Sequence, residues 1–136
     1  MRRTAWIASV VLGVLLIAGG LGTWIVVSGT LADESITVSD DASCLAGNDV
    51  NGPFSAYCEA EIINEHALNA TDGQTYAELD RDNPLRQTAM NASFLRASLF
   101  TSVVAFGVAG MAILMGVVFI LIGLGIKDVS EKTGAV

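Results

Sequence analysis

Two long apolar stretches dominate the pattern of hydrophobic and polar positions along the chain. No charged residue occurs in residues 4–32 or in residues 97–126. Each stretch exceeds the roughly 20 apolar residues that a helix needs to cross the core of a bilayer. The pattern therefore predicts two transmembrane helices, at residues 5–28 and 98–126, which flank a polar loop at residues 29–97.

Basic residues near the chain ends predict the orientation of this hairpin. Two arginines precede the first span, and Lys127 and Lys132 follow the second. Positive charges beside short spans favour the cytoplasmic side of a membrane. We therefore expect both termini, residues 1–4 and 127–136, in the cytoplasm, and the loop outside the plasma membrane.

Two other processing routes compete with an uncleaved first span. The basic start and the stretch Thr30-Leu31-Ala32 also suit a cleaved signal peptide. However, the apolar region is about twice the usual 7–15 residues of such a peptide, which favours an anchor. A lipoprotein is disfavoured, because Asp41 lies where the motif before Cys44 needs an aliphatic residue.

Small residues in both spans predict a close helix pair. Helices in lipid associate through close backbone approach and polar contacts, which small side chains permit. We expect this packing within one chain or between copies in a homo-oligomer. Neither span contains an ionisable residue, which argues against a transporter or a channel. The candidate packing residues are Ser9, Gly13, Ala18 and Gly22 in the first span and Ala105, Ala109, Ala112 and Gly116 in the second.

The loop has its own predicted elements. A short β-prone stretch at residues 36–38 precedes a turn signal, Asn-Gly-Pro, at residues 51–53. Apolar positions three or four apart predict a helix over residues 54–68. A capping box at Thr75 predicts a second short helix. The Asn83-Pro84 pair predicts a third helix, which begins at about Pro84 and continues through the second span to residue 126.

The charge of the loop excludes some partners. Charged residues make up 15% of the chain, against roughly 25% in soluble domains. Residues 33–96 carry twelve acids and three arginines, a formal charge of −9. This segment offers no basic patch for nucleic acid or anionic lipid.

Cys44 and Cys58 are the two cysteines, and both lie in the predicted outer loop. Cysteines in an oxidising compartment usually pair. Their spacing fits neither a redox motif nor a zinc site. We therefore expect a structural disulfide that closes the loop.

The chemistry-bearing residues predict neither a cofactor nor a metal site. His66 is the single histidine, and a metal site would need more ligands converging on it. No nucleophile-histidine-acid order, glycine-rich phosphate loop or paired-carboxylate motif stands out. The sequence predicts a non-enzymatic protein.

Several longer runs resemble a known family. They are TLADE at 30–34, ITVSDDA at 36–42, NGPFSAY at 51–57, TYAELD at 75–80 and NASFLRASLFTS at 91–102. Together they resemble a family of small two-span membrane proteins of actinobacteria. Its members are often described as aromatic ring-opening dioxygenases.

The resemblance implies two spans and an outer loop, but the residues of this chain do not supply the ligands that dioxygenase chemistry needs. An extradiol enzyme of the usual kind holds iron with two histidines and a carboxylate. With one histidine, this chain could only be a non-catalytic small subunit beside a metal-bearing partner.

The predicted fold class is an all-α membrane protein, a two-helix transmembrane hairpin with a small, mostly helical, disulfide-closed loop domain. We expect an accessory protein that contacts membrane lipid and binds another envelope protein through its acidic loop. An envelope sensor and the dioxygenase small subunit are the alternatives. The candidate partner contacts are Phe54, Tyr57, Tyr76, Phe94 and Arg96, and the aromatic ones also suit a small core of the loop.

Overall fold

The computed structural model describes the backbone of residues 2–134 and the side chains of residues 3–132. Its helices are α1 (Arg2–Asp33), α2 (Pro53–Ala70) and α3 (Arg86–Gly134). The described residues form no strand. The predictions of an all-helical chain and of two long apolar helices are confirmed. Met1, Ala135 and Val136, parts of the predicted cytoplasmic ends, lie outside the described residues.

Both long helices extend beyond the predicted spans. α1 continues to Asp33, and α3 continues to Gly134. Beyond the apolar stretch, Lys127 and Glu131 approach to 3.9 Å, and Asp128 and Lys132 to 2.6 Å. Such pairs, four residues apart, stabilise a helix, so α3 does not end where its apolar residues end.

The prediction of a second short helix at Thr75 is wrong. The Glu78 carboxylate accepts hydrogen bonds from Thr75 N and Oγ1, both at 2.8 Å, as in a capping box. One turn follows and stops at Leu79, whose side chain is buried. The Leu79 carbonyl accepts a hydrogen bond from the Arg86 guanidinium. This bond takes the acceptor that a longer helix would use for its own backbone.

α3 begins two residues after the predicted start. Leu85 N donates to Asn83 Oδ1 at 2.8 Å, and Arg86 N donates to Asn83 O at 3.0 Å. Asn83 therefore caps the helix as its sequence predicts. Because the bond from Arg86 N reaches back only three residues, the first turn is tight, and the regular α-helix begins at Arg86.

The chain forms two compact units. The helix-pair unit combines residues up to Val26 with residues from Gly107 on, and the loop unit comprises Val27–Phe106.

A glycine seam joins α1 and α3 inside the helix-pair unit. A Cβ on Gly13 would lie 2.5 Å from the Gly116 carbonyl oxygen, and a Cβ on Gly20 2.7 Å from that of Ala109. A Cβ on Gly123 would lie 3.0 Å from the Trp6 carbonyl oxygen and 2.7 Å from Val10 Cγ2. The backbones approach so closely that only glycine fits at these three glycine positions. The glycine seam consists of Gly13, Gly20, Ala109, Gly116 and Gly123, seven residues apart on each helix.

The structure places the predicted packing residues in different settings. Gly13, Ala109 and Gly116 lie in the glycine seam, and Ser9 Oγ donates to the Phe119 carbonyl at 2.7 Å. Ala105 and Ala112 are half-buried, while Ala18 and Gly22 are exposed. Packing between copies, the other half of that hypothesis, stays a prediction.

Replacing Gly116 by alanine should weaken the helix-pair unit. The new Cβ would lie 2.6 Å from the Gly13 carbonyl oxygen, so the two backbones must separate. Overpacking costs about 1–3 kcal/mol, and the free energy of unfolding, measured by denaturant titration with circular dichroism, should fall by that amount. Gly22→Ala is the matched control, because a Cβ there meets no atom within 4 Å. Equal losses in both variants would contradict the seam.

The loop unit has its own hydrophobic core. Ala56 and Ala60 of α2 are fully buried, because small side chains let this helix approach its neighbours closely. Val38 and Val50 lie in the segment before α2, are each 1% exposed and belong to this core. The buried core residues are Leu31, Val38, Val50, Ala56, Cys58, Ala60, Leu99 and Phe106.

Candidate functional site

The segment that precedes α2 is tied to that helix by a disulfide. Cys44 and Cys58 are bonded, with their Cα atoms 5.7 Å apart and 14 positions apart in sequence. The predicted disulfide is confirmed. It fixes one end of the segment at residues 38–44 against the second turn of α2.

A buried carboxylate makes a second tie. Glu59 is 7% exposed, and its Oε2 accepts a hydrogen bond from Ser39 N at 2.9 Å. A carboxylate taken out of water needs such a partner. The acid-rich sequence of α2 resembles a solvated surface, so nothing in it distinguishes Glu59 from exposed Glu61.

An exposed hydrogen bond between two side chains makes a third tie. His66 Nε2 lies 2.7 Å from Asp41 Oδ2. The hydrogen bond from His66 holds the pKa of the Asp41 carboxyl below its ordinary value. A lowered pKa means that the pair stabilises the fold above the ordinary pKa of an aspartate. This contribution is lost as the pH falls through the lowered value.

Backbone hydrogen bonds brace the same segment internally. Val38 N donates to Asn48 O and Val50 N to Ile36 O, both at 2.9 Å. The β-prone stretch at residues 36–38 thus pairs with the chain ahead of α2, but only as an isolated antiparallel bridge between Thr37 and Asp49. Residues 36–50 thus form an ordered segment over α2, which we call the strap.

An open groove of about 470 Å³ runs along α2 beside the disulfide. Tyr57 and Leu68 supply apolar surface to it, and the carboxylates of Glu61 and Glu65 supply negative charge. The residues that the structure describes hold no group of three metal-ligating side chains close enough for an ion. The groove can therefore offer contact area and charge to a ligand.

The four aromatic candidates for partner contact are all exposed. Phe54 is 78% exposed in the first turn of α2, and Phe94 is 67% exposed on α3. Tyr57 and Tyr76 are also exposed, so none of these four rings belongs to the buried core.

The rings and arginines of the loop unit form three local contacts. The Tyr57 and Phe100 rings meet edge to face at 6.0 Å, and the Arg96 guanidinium lies 5.7 Å from the Phe100 centroid. The Arg86 guanidinium lies 4.1 Å above the Tyr76 ring. Such cation–π contacts orient the arginine side chains. Arg96 Nε is buried and makes no hydrogen bond with the described residues.

Comparison with known proteins found no relative. No family model, no curated protein and no solved structure matches the chain.

Removing the disulfide should loosen the loop unit. The double variant Cys44→Ser/Cys58→Ser loses the closed loop of 14 positions, which is worth about 3 kcal/mol in the chain-entropy model. The free energy of unfolding should fall by about that amount, and residues 34–52 should become more susceptible to protease. Ser43→Ala, an exposed neighbour, is the control and should match the parent. A double variant as stable and as protease-resistant as the parent would contradict a structural role for the bond.

Proposed function

We propose that this chain is a membrane-anchored accessory protein. It crosses the plasma membrane twice, holds both termini in the cytoplasm and binds another envelope protein through its folded outer loop. The assignment to the actinobacterial two-span family, made from the sequence runs, is part of this proposal.

The exposure of the long helices supports membrane insertion. In the most apolar 18-residue windows of the two helices, only 11% and 17% of the residues are buried. Large apolar side chains such as Leu15, Ile25 and Leu114 lie more than half exposed. A soluble core helix would bury its apolar face, whereas helices apolar on all sides suit lipid. A signal sequence would explain α1 but not α3.

The observation that carries the binding role is the triple attachment of the strap to α2. A tether between two helices needs no core, disulfide, buried carboxylate or histidine–aspartate hydrogen bond. The loop unit has all four, at Cys44–Cys58, Ser39–Glu59 and Asp41–His66 and in the core around Ala56. Such order makes a fixed surface, and a fixed surface lowers the entropy cost of binding a partner.

The groove on α2 suggests the chemistry of the partner. Glu61 and Glu65 point to a segment with basic or polar side chains, and the Tyr57 ring adds apolar contact. Tyr and Arg are the residues that most often dominate protein interfaces. Tyr76 and Arg96 line a second, smaller cavity of the same unit.

Two alternatives from the sequence stay predictions. They are a non-catalytic small subunit of a ring-opening dioxygenase and an envelope sensor. No contact among the described residues favours either.

Site-specific photocrosslinking in intact cells tests the accessory role. A photoreactive amino acid at Glu65, which lines the groove, should give one discrete adduct with another envelope protein. The matched control is Glu131, an exposed acid in the proposed cytoplasmic tail, which should not give that adduct. Glu61→Lys should lower the yield at Glu65 several-fold without changing the helix content. An adduct no stronger at Glu65 than at Glu131 would contradict the proposal.

A further inference from the structure

The first turn of α2 lies at the level of the apolar part of α1. Ser28 Oγ donates a hydrogen bond to the Asn51 carbonyl at 2.6 Å. Ser28 precedes Asp33, the first charge after the apolar stretch, by five residues. At a helix rise of 1.5 Å per residue, Asn51 lies about 7.5 Å inside the end of that stretch.

α3 gives the same depth independently. The Tyr57 ring contacts the Phe100 ring at 6.0 Å. Phe100 follows Arg96, the last charge before the second apolar stretch, by four residues. This spacing places Tyr57 beside a position about 6 Å inside the stretch. Two contacts on two helices thus agree on the depth of the N-terminal end of α2.

The charge pattern of the loop matches this depth. No charged residue occurs at positions 50–58, although Asp49 and Glu59 flank them in a segment with twelve acids. Phe54, in the middle of this gap, is 78% exposed. Leu45 is 41% exposed and lines a common surface groove with Phe54. Apolar side chains are therefore presented where charges are missing.

We infer that the first turn of α2 rests in the interfacial layer of the outer leaflet, with Phe54 as its lipid contact. The inference rests on the proposed membrane insertion of α1 and α3. Aromatic rings are enriched at this layer, and an apolar helix face buries itself at the boundary of headgroups and acyl chains. Phe54 is then a contact with the bilayer and not with a protein partner. The groove at Glu61 and Glu65 remains available to a protein.

Tryptophan fluorescence of the full chain in phosphatidylcholine vesicles tests the inference. The native Trp6 and Trp24 are replaced by phenylalanine, and Phe54→Trp supplies a single reporter. Its emission should be blue-shifted, quenched by lipids brominated on the acyl chains and several-fold less sensitive to aqueous iodide than a control reporter. The control is Tyr76→Trp, because Tyr76 packs against Arg86. Arg86 precedes Arg96 by ten residues, so the control reporter lies about 15 Å further from the apolar stretch.

A third single-tryptophan protein, which keeps only Trp24, separates the two claims. Trp24 lies inside the first apolar stretch, so brominated lipids should quench it if α1 is inserted. Quenched Trp24 together with an iodide-accessible Phe54→Trp would overturn the lipid contact and leave membrane insertion intact. A Phe54→Trp reporter that becomes shielded only in native membranes would also overturn it, in favour of a protein contact. Unquenched Trp24 would overturn both claims.

Discussion

Cys58 and Glu59 are neighbours in α2, and each holds a different part of the strap that precedes the helix. The thiol is bonded to Cys44, and the carboxylate accepts a hydrogen bond from Ser39 N. His66, two turns further on, holds Asp41. A disulfide, a hydrogen bond to a buried carboxylate and an exposed hydrogen bond between side chains therefore fix residues 38–44 along one helix. Val38 and Val50 of the strap belong to the same buried core as Ala56 and Ala60, so this attachment holds the core of the loop unit together.

The helix-pair unit depends on a different constraint. Gly13 and Gly116 approach so closely that neither tolerates a Cβ, and the close approach brings many backbone atoms into van der Waals contact. Ser9 adds a hydrogen bond to a carbonyl of α3. In lipid, where burial of apolar surface offers little between helices, contacts of this kind are the main source of association. The rest of both helix surfaces is left apolar and exposed, as the proposed bilayer environment requires.

Much of this fold could be predicted, because its signals are local or compositional. The missing charges in residues 4–32 and 97–126 indicate two apolar helices, and two cysteines in a predicted outer loop indicate one disulfide. The glycine seam was harder, because pairs four residues apart fit a helix face as well as pairs seven apart. Gly20 and Gly123 were missed for that reason.

The two non-covalent contacts that fix the candidate site leave no mark in the sequence. Glu59 looks like any other acid in a loop that carries twelve, and the partner of His66 is 25 residues away. Conversely, the capping-box pattern at Thr75 predicts a helix where the structure forms only one turn. Its capping box forms, but a cap stabilises only a first turn, and the chain beyond Leu79 follows other contacts.

The proposed function requires both constraints. The paired helices anchor the chain in the membrane, and the ordered loop unit offers a partner a fixed surface. Hydrogen–deuterium exchange of the full chain in lipid nanodiscs tests this claim most directly. The account predicts slow exchange in both apolar stretches, because lipid excludes water from them, and slow exchange throughout α2 (Pro53–Ala70). The turn at residues 80–83 should exchange at once. Exchange in α2 as rapid as in that turn, or rapid exchange within the apolar stretches, would contradict the account.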